Sequence, residues 1–333
     1  MMTARKNFCR LLIGLAVFPF LAVYARLESP LAESALLWKQ AKELHPGIIH
    51  REMTFTLPRA MCIQAVRIDL QTPGLRLATF EPAENAGQPM PGFPDKVIRT
   101  KREKVSDFLL RCRKPVEEGG RGLNMVLAVN ACPWSPWQMP WNHPYADRTG
   151  LLVTDGKLVS PNTGNPGLVV TKSGQVEFRS FPKDAEVSID DIQLCICGFS
   201  VILRDGKILP KDGGDCHPRT VFGLSSDHRW LYLLIIDGRQ KGYSEGANLY
   251  ECAQIVRQLG ACEALNMDGG GSSTLITWDE ASQSPVMLNR HDPNRRSQRK
   301  VGGAVGFYFV SASAEPSSQL VLPNTPSWKK TGR

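Results

Sequence analysis

Two segments of this chain run strand, Asp-Gly turn, strand, and they restrict the possible folds more than any other feature. Leu152-Val153-Thr154-Asp155-Gly156-Lys157-Leu158-Val159-Ser160-Pro161 is echoed by Ile202-Leu203-Arg204-Asp205-Gly206-Lys207-Ile208-Leu209-Pro210. A two-residue loop that matches the twist of its flanking strands needs positive φ at both central positions. Glycine adopts that conformation freely and aspartate tolerates it, so each segment is expected to form a tight β-hairpin. Shared turn chemistry accounts for the likeness without an internal duplication. Thr220–Leu224 and Trp230–Ile236 flank Ser225-Ser226-Asp227-His228 and predict a third hairpin, while Ile63–Leu70 and Leu75–Leu77 flank the turn Gln71-Thr72-Pro73-Gly74.

Helical signals are few. Leu249, Cys252, Ala253, Val256 and Leu259 recur at helical spacing, and Gly260 stops that helix. Ser106 is placed to cap a shorter helix through Arg113. Leu31, Ala35, Leu37, Trp38 and Leu44 suggest a helical lead-in over residues 26–50. Met125–Asn130 and Ala264–Met267 read as buried strands, and residues 81–94, rich in proline and glycine, as a loop. No regular βα alternation runs through the chain. The expected class is therefore α+β, a mixed β-sheet core with a few flanking helices, in one large domain over residues 51–311. The Ser- and Pro-rich residues 312–333 are expected to form a flexible tail.

Arg5, Lys6 and Arg10 precede an uncharged apolar run of 13 residues from Leu11 to Val23, with small residues before a cleavage point near Ala25. The run falls short of the roughly 20 residues that a membrane span needs. It fits a signal peptide over residues 1–25, so a secreted or periplasmic location is expected, with no stable membrane span after cleavage. Losing three basic residues lowers the net charge from +8 to +5. With no polybasic stripe or nucleic-acid motif, nucleic acid is excluded as a partner, whereas an anionic small substrate suits the mild positive balance. Outside the leader stand eight cysteines, an even number suited to an oxidising compartment, so at least two disulfides are expected. Cys195 and Cys197 lie on the same face of a strand, which argues against their pairing with each other.

The chemistry concentrates in Asn266-Met267-Asp268-Gly269-Gly270-Gly271-Ser272-Ser273-Thr274-Leu275. Gly269, Gly270 and Gly271 can turn successive N–H groups toward an anion, and Ser272 and Ser273 add hydroxyls. Charged Asp268 repels phosphate, so its place is as an acid, a base, a metal ligand or a partner of sugar hydroxyls. His217-Pro218-Arg219-Thr220 opens a strand and Ile236-Asp237-Gly238-Arg239 closes its neighbour. Arg219 and Arg239 thus fall near one edge, where guanidinium offers paired donors and a permanent charge to a phosphate. Glu245, just before the Leu249 helix, is either its cap or a third carboxylate beside Asp237 and Asp268. Such a set suits acid/base work on a glycosidic or phosphodiester bond. Asn130, Asn289-Arg290-His291 and Arg299 are further candidates for sugar hydroxyls.

Together, the Val129-Asn130 strand end, the Asp-Gly-Lys hairpins, the His217 and Asp237 tetrapeptides, the Leu249 helix and the Asp268 loop resemble the phosphodiester glycosidase family. The likeness runs from about Arg51 to Val310, with its most specific part from His217 to Leu275. It implies an exported hydrolase that cleaves a sugar-1-phosphodiester, with a carbohydrate or sugar-phosphate as partner. Asp268 then leads as acid/base, assisted by Glu245 or Asp237. Arg219, Thr220, Arg239, the three glycines, Ser272, Ser273 and Asn130 hold substrate or phosphate. One departure stands after Asn130. Family members usually place glycine or alanine, a small residue and an aromatic there, whereas this chain has Ala131-Cys132-Pro133-Trp134 and a Trp- and Pro-rich loop to Trp141. That loop is either a substrate wall or a packed plug. Two rivals remain: a non-catalytic carbohydrate-binding or envelope protein on the same fold, and a phosphodiesterase that binds a divalent cation, Ca or Mg, through Asp237 and Asp268.

Overall fold

The computed structural model describes residues 34, 36–137, 143–183, 185–291 and 298–310; the expected leader and C-terminal tail lie outside them. Strand predominates, and every ladder among the described residues is antiparallel. The expected mixed sheet is thereby corrected. With so few helices, no crossover returns a strand parallel to its predecessor, and hairpins and longer antiparallel connections build the sheets instead.

The largest sheet has eight strands in the order Lys42–His45, Ile48–Phe55, Met61–Asp69, Trp230–Ile236, Arg219–Leu224, Glu263–Asn266, Ser200–Arg204 and Lys207–Ile208. A five-stranded sheet orders Ser284–Met287, Leu275–Asp279, Asn124–Asn130, Ala304–Phe309 and Leu75–Thr79. Phe222, Leu233, Ile235 and Leu265 of the first meet Leu127, Val129, Val305 and Phe307 of the second in one buried core. A second five-stranded sheet, Lys157–Ser160, Leu152–Thr154, Ile192–Cys197, Gly167–Thr171 and Val176–Arg179, adds Leu152, Leu168 and Ile196 to it. Truncating one such Leu or Ile to Ala is expected to cost about 2–5 kcal/mol.

Helices cover the outer faces. Helix α1 (Val105–Arg113) buries Val105, Phe108, Leu109 and Cys112, one helical stripe, against Met125, Ala128 and Ile276. Its N-cap is Lys104 rather than Ser106, and no side chain caps it. Helix α2 (Leu249–Gln258) buries Cys252, Ala253 and Val256 against Val221, Leu234 and Ala264 on the outer face of the large sheet. Asn248 caps α2 and exchanges hydrogen bonds with Glu251 in a capping box. Of the two roles open to Glu245, the cap is taken by Asn248, and Glu245 is exposed.

Both Asp-Gly hairpins form, with positive φ at Asp155, Gly156, Asp205 and Gly206. The helical lead-in does not extend to Leu44: Lys42–His45 and Ile48–Phe55 are strands at the edge of the large sheet. Leu75–Thr79 is a strand, as expected, yet it leaves its neighbour in sequence and pairs with Ala304–Phe309 in the opposing sheet. Residues 81–94 are not wholly loop, since Pro89–Met90 pairs with Phe93–Val97. The expected disulfides are absent: Cys62, Cys112, Cys132, Cys195, Cys197, Cys216, Cys252 and Cys262 are all free thiols, spread over both helices, several strands and separate core clusters. No helix among the described residues is long and apolar enough to cross a membrane.

Candidate active site

The loop over residues 267–274 carries the chain from the large sheet, left at Asn266, into the opposing sheet, entered at Leu275. It therefore bridges the two layers at one end of the sandwich. The Met267 amide donates to Thr220 O at 2.9 Å, the Asp268 amide to Ala131 O at 2.7 Å and the Gly270 amide to Pro218 O at 2.8 Å. Strands from both sheets thus hold the loop before any ligand arrives.

Its glycines serve close approach. A Cβ on Gly269 would stand 2.7 Å from Pro218 O. Gly270 has φ +61°, and the Arg239 guanidinium lies over it, 3.4 Å from where a Cβ would be. Some amides of the turn are already engaged by the chain: besides Gly270, Ser272 donates to Gly269 O at 3.1 Å and Ser273 to Gly270 O at 3.3 Å.

Asn130 and Thr220, expected on the substrate, are fully buried framework. Asn130 Nδ2 donates to Asp268 O at 2.6 Å, while its Oδ1 accepts from Thr220 Oγ1 at 2.9 Å and the Thr274 amide at 3.0 Å. Ser273 Oγ, also buried, lies 3.4 Å from Thr220 Oγ1 and can donate to it. These side chains spend their polar atoms on shaping the loop, as buried polar groups must.

Asp237 is a hub of the same kind. It is buried, accepting from Asn289 Nδ2 at 3.0 Å, the Arg290 amide at 3.0 Å and Tyr243 OH at 3.1 Å. Asn289 in turn donates to Ser273 O at 3.2 Å and accepts from the Leu275 amide at 2.8 Å, which clamps the far end of the loop. Burial raises the Asp237 carboxyl above the ordinary range, against those three donors. Both of its oxygens are occupied, and among the described residues no three His, Cys, Asp or Glu side chains converge as metal ligands.

Asp268 is different. It is half-buried, and burial pushes its carboxyl up to about 6, against the opposing influence of Ser272, the Arg299 charge, the Gly269 amide and Trp134. Arg299 Nη1 also donates to Ser272 Oγ at 3.4 Å. A carboxyl near 6 exchanges its proton in the neutral range, which suits general acid or base work.

The cations divide by face. Along Arg219–Leu224, Thr220 points inward, so Arg219 points outward. Its Nε donates to Ala247 O and its Nη2 to Asp215 O, both at 3.0 Å. Strand alternation thus takes Arg219 away from Asp268. Arg239 instead remains exposed over the glycine turn, with its Nη2 3.5 Å from His217 Nδ1 and its own φ at +61°. A non-glycine residue held there is strained, and such strain gathers at functional sites. Burial, then the charges of Arg219 and Arg239, hold the His217 imidazole below its ordinary value. Arg290, also exposed, lies over the Tyr243 ring at 4.7 Å.

The structure therefore gathers Asp268, Ser272, Arg239, the glycines, Asn130, Thr220, Ser273 and Asp237 around one loop, while Glu245 stands exposed before α2. His217, Trp134 and Arg299 join the cluster without having been given a role beforehand in catalysis or phosphate binding. For His217 the signal was its place two residues before Arg219; Arg299 had been offered only as a partner of sugar hydroxyls.

The family model described as phosphodiester glycosidase matches residues 125–308, more than half of the chain. Among solved structures, the catalytic domain of zebrafish N-acetylglucosamine-1-phosphodiester alpha-N-acetylglucosaminidase, auto-inhibited by its pro-peptide, is similar at 19% identity and a TM-score of 0.52, covering 81% of this chain and 87% of that one. A putative exported protein from Burkholderia pseudomallei is similar at 14% identity and a TM-score of 0.50, covering 75% and 74% of the two chains. At these identities the likeness is one of fold. No curated protein matches the sequence.

Proposed function

The chain belongs to the phosphodiester glycosidase family, and from that premise we propose that it hydrolyses the glycosidic bond of a sugar-1-phosphodiester. The observation that carries this reading is a half-buried carboxyl near 6, Asp268, on the same short turn that packs under the exposed Arg239–His217 pair. Asp268 exchanges a proton at the glycosidic oxygen or with the attacking water. Arg239, with His217 beside it, takes the phosphate, whose charge grows as the glycosidic bond breaks. Asp237 acts at one remove, by holding Asn289 and Arg290. The N-terminal basic and apolar segment supports export of the mature protein to the periplasm or medium.

Kinetics on a sugar-1-phosphodiester and on a neutral aryl glycoside test the assignment. Asp268→Asn keeps the shape and is expected to lower kcat by about 10²-fold or more on both substrates. Arg239→Ala is expected to raise KM about 10-fold or more on the phosphodiester alone. Full activity in Asp268→Asn refutes the chemistry, and an equal loss on both substrates in Arg239→Ala refutes the phosphate assignment. Loss of activity on chelation, restored by Ca or Mg, favours the metal-dependent rival.

A further inference from the structure

Four segments emerge side by side at one edge of the large sheet. Register aligns them: Arg219 stands opposite Ile236, Val221 opposite Asn266, and Ser200 opposite Asn266 on its other side. The turn after Ile236, the tetrapeptide that begins at His217, the glycine turn after Asn266 and Gly198-Phe199 before Ser200 therefore form one row. The strand end that leads to Asp268 is held closely from both sides. A Cβ on Gly269 would stand 2.7 Å from Pro218 O, and one on Gly198 would stand 2.6 Å from Asn266 O and 2.7 Å from Met267 Sδ. The Gly198 amide donates to Pro166 O at 2.8 Å and its carbonyl accepts from Asn165 Nδ2 at 3.0 Å, while the Phe199 amide donates to Asn266 O at 2.8 Å. The backbone of Phe199 is thus fixed, level with Met267 and one residue short of Asp268. Its side chain is 49% exposed and stands outside the core clusters of the described residues.

A single exposed apolar side chain means little by itself. Its place in the row gives this one a meaning. Neighbouring strands lie about 4.8 Å apart, so Phe199 and the strand that begins at Arg219 are separated by roughly 10 Å, with the strand end that leads to Asp268 between them. His217 precedes the strand Arg219–Leu224 and Arg239 follows its neighbour Trp230–Ile236, so both cations enter from one side of that strand end and Phe199 from the other. A sugar-1-phosphodiester with its phosphate at Arg239 and its glycosidic oxygen at Asp268 must lay its ring on the side away from the cations. We infer that Phe199 is the platform for that ring, a specificity-determining residue whose aromatic face covers the C–H face of a hexopyranose. The inference rests on the reading of Asp268 as the acid/base and Arg239 as the phosphate group. A pyranose turns its C–H bonds to one face and its hydroxyls to its rim, and a rigidly mounted aromatic ring covers the first while leaving the second free.

The test compares Phe199→Ala and Phe199→Tyr with the wild type in the full chain, using a panel of hexose-1-(methyl phosphate) substrates and inorganic phosphate as inhibitor. Phe199→Ala is expected to raise KM about 10-fold on the best substrate of the panel with kcat nearly unchanged, and Phe199→Tyr to restore it, because the loss is one of apolar contact. Inhibition by inorganic phosphate, which engages the cations alone, stays as in the wild type. An unchanged KM in Phe199→Ala overturns the inference. So does a KM that rises together with the phosphate inhibition constant, since that marks damage to the whole site. Wild-type protein that hydrolyses none of the panel overturns the proposed function instead. Phe199 is then judged by its aromatic ¹³C resonances, assigned by their loss in Phe199→Ala: a shift with hexose-1-phosphate and none with inorganic phosphate supports the platform, and a shift with both or with neither overturns it.

Discussion

Replacing Asp268 by Asn is expected to make the folded protein more stable above neutral pH while removing its proton-transfer group. The sign follows from the direction of the shift. The carboxyl rises from 3.8 to about 6 on folding, so the unfolded chain gives up this proton more readily than the native one. A group with a raised folded value contributes stability that is fully present below its unfolded value, about pH 4, and lost as pH rises through about 6. A shift of about 2 units at about 1.4 kcal/mol each is a cost of about 3 kcal/mol on the native state at pH 8. Asparagine does not ionise and keeps the shape of the side chain. Urea unfolding of both proteins from pH 3.5 to pH 8 checks this, with the linear slope m confirming that the same surface is exposed. The difference should be near zero at the acid end and grow to as much as about 3 kcal/mol in favour of Asp268→Asn at pH 8. Equal stabilities at pH 8 would show that Asp268 is ionised without penalty, and the case for a poised acid/base would fall. Holding a costly charge where chemistry needs it is a common trade of stability for activity.

Two further expectations concern the cations. His217, held below its ordinary value by burial and by Arg219 and Arg239, should titrate at higher pH when inorganic phosphate is bound, since an anion offsets those charges; an NMR titration in which phosphate leaves its midpoint unmoved removes His217 from the anion site. Arg148 is buried and all three of its guanidinium nitrogens lack a hydrogen-bond partner, so Arg148→Met should leave stability unchanged or raise it by about 1–4 kcal/mol, and a marked fall in Tm would show that the cation is compensated.

Turn chemistry and periodicity acted within a few residues, and there the sequence was a sufficient guide. Asp155-Gly156 and Asp205-Gly206 dictated hairpins because few other dipeptides adopt their backbone, and Leu249 to Leu259 marked one helical face. The carboxylate-glycine loop was legible for the same reason, as was its nearness to the His217 and Asp237 tetrapeptides, which close a single hairpin. What each side chain does there was not legible. Thr220 and Arg219 are adjacent in the chain and lie on opposite faces of a strand, so one clamps the loop and the other leaves it. Nothing local tells which face becomes the interior of a sandwich. Asp237 looked like a catalyst and serves as a hub because Asn289, two residues beyond the strand Ser284–Met287, reaches it. The sequence by itself determined the β-rich class, its turns and the loop at which chemistry concentrates, because those depend on backbone preferences of neighbouring residues. The tertiary structure alone decided that Leu75–Thr79 changes sheets, that Arg299 reaches Ser272 beside Asp268, and that burial lifts this carboxyl to about 6, because those depend on distant strands packing together and excluding water.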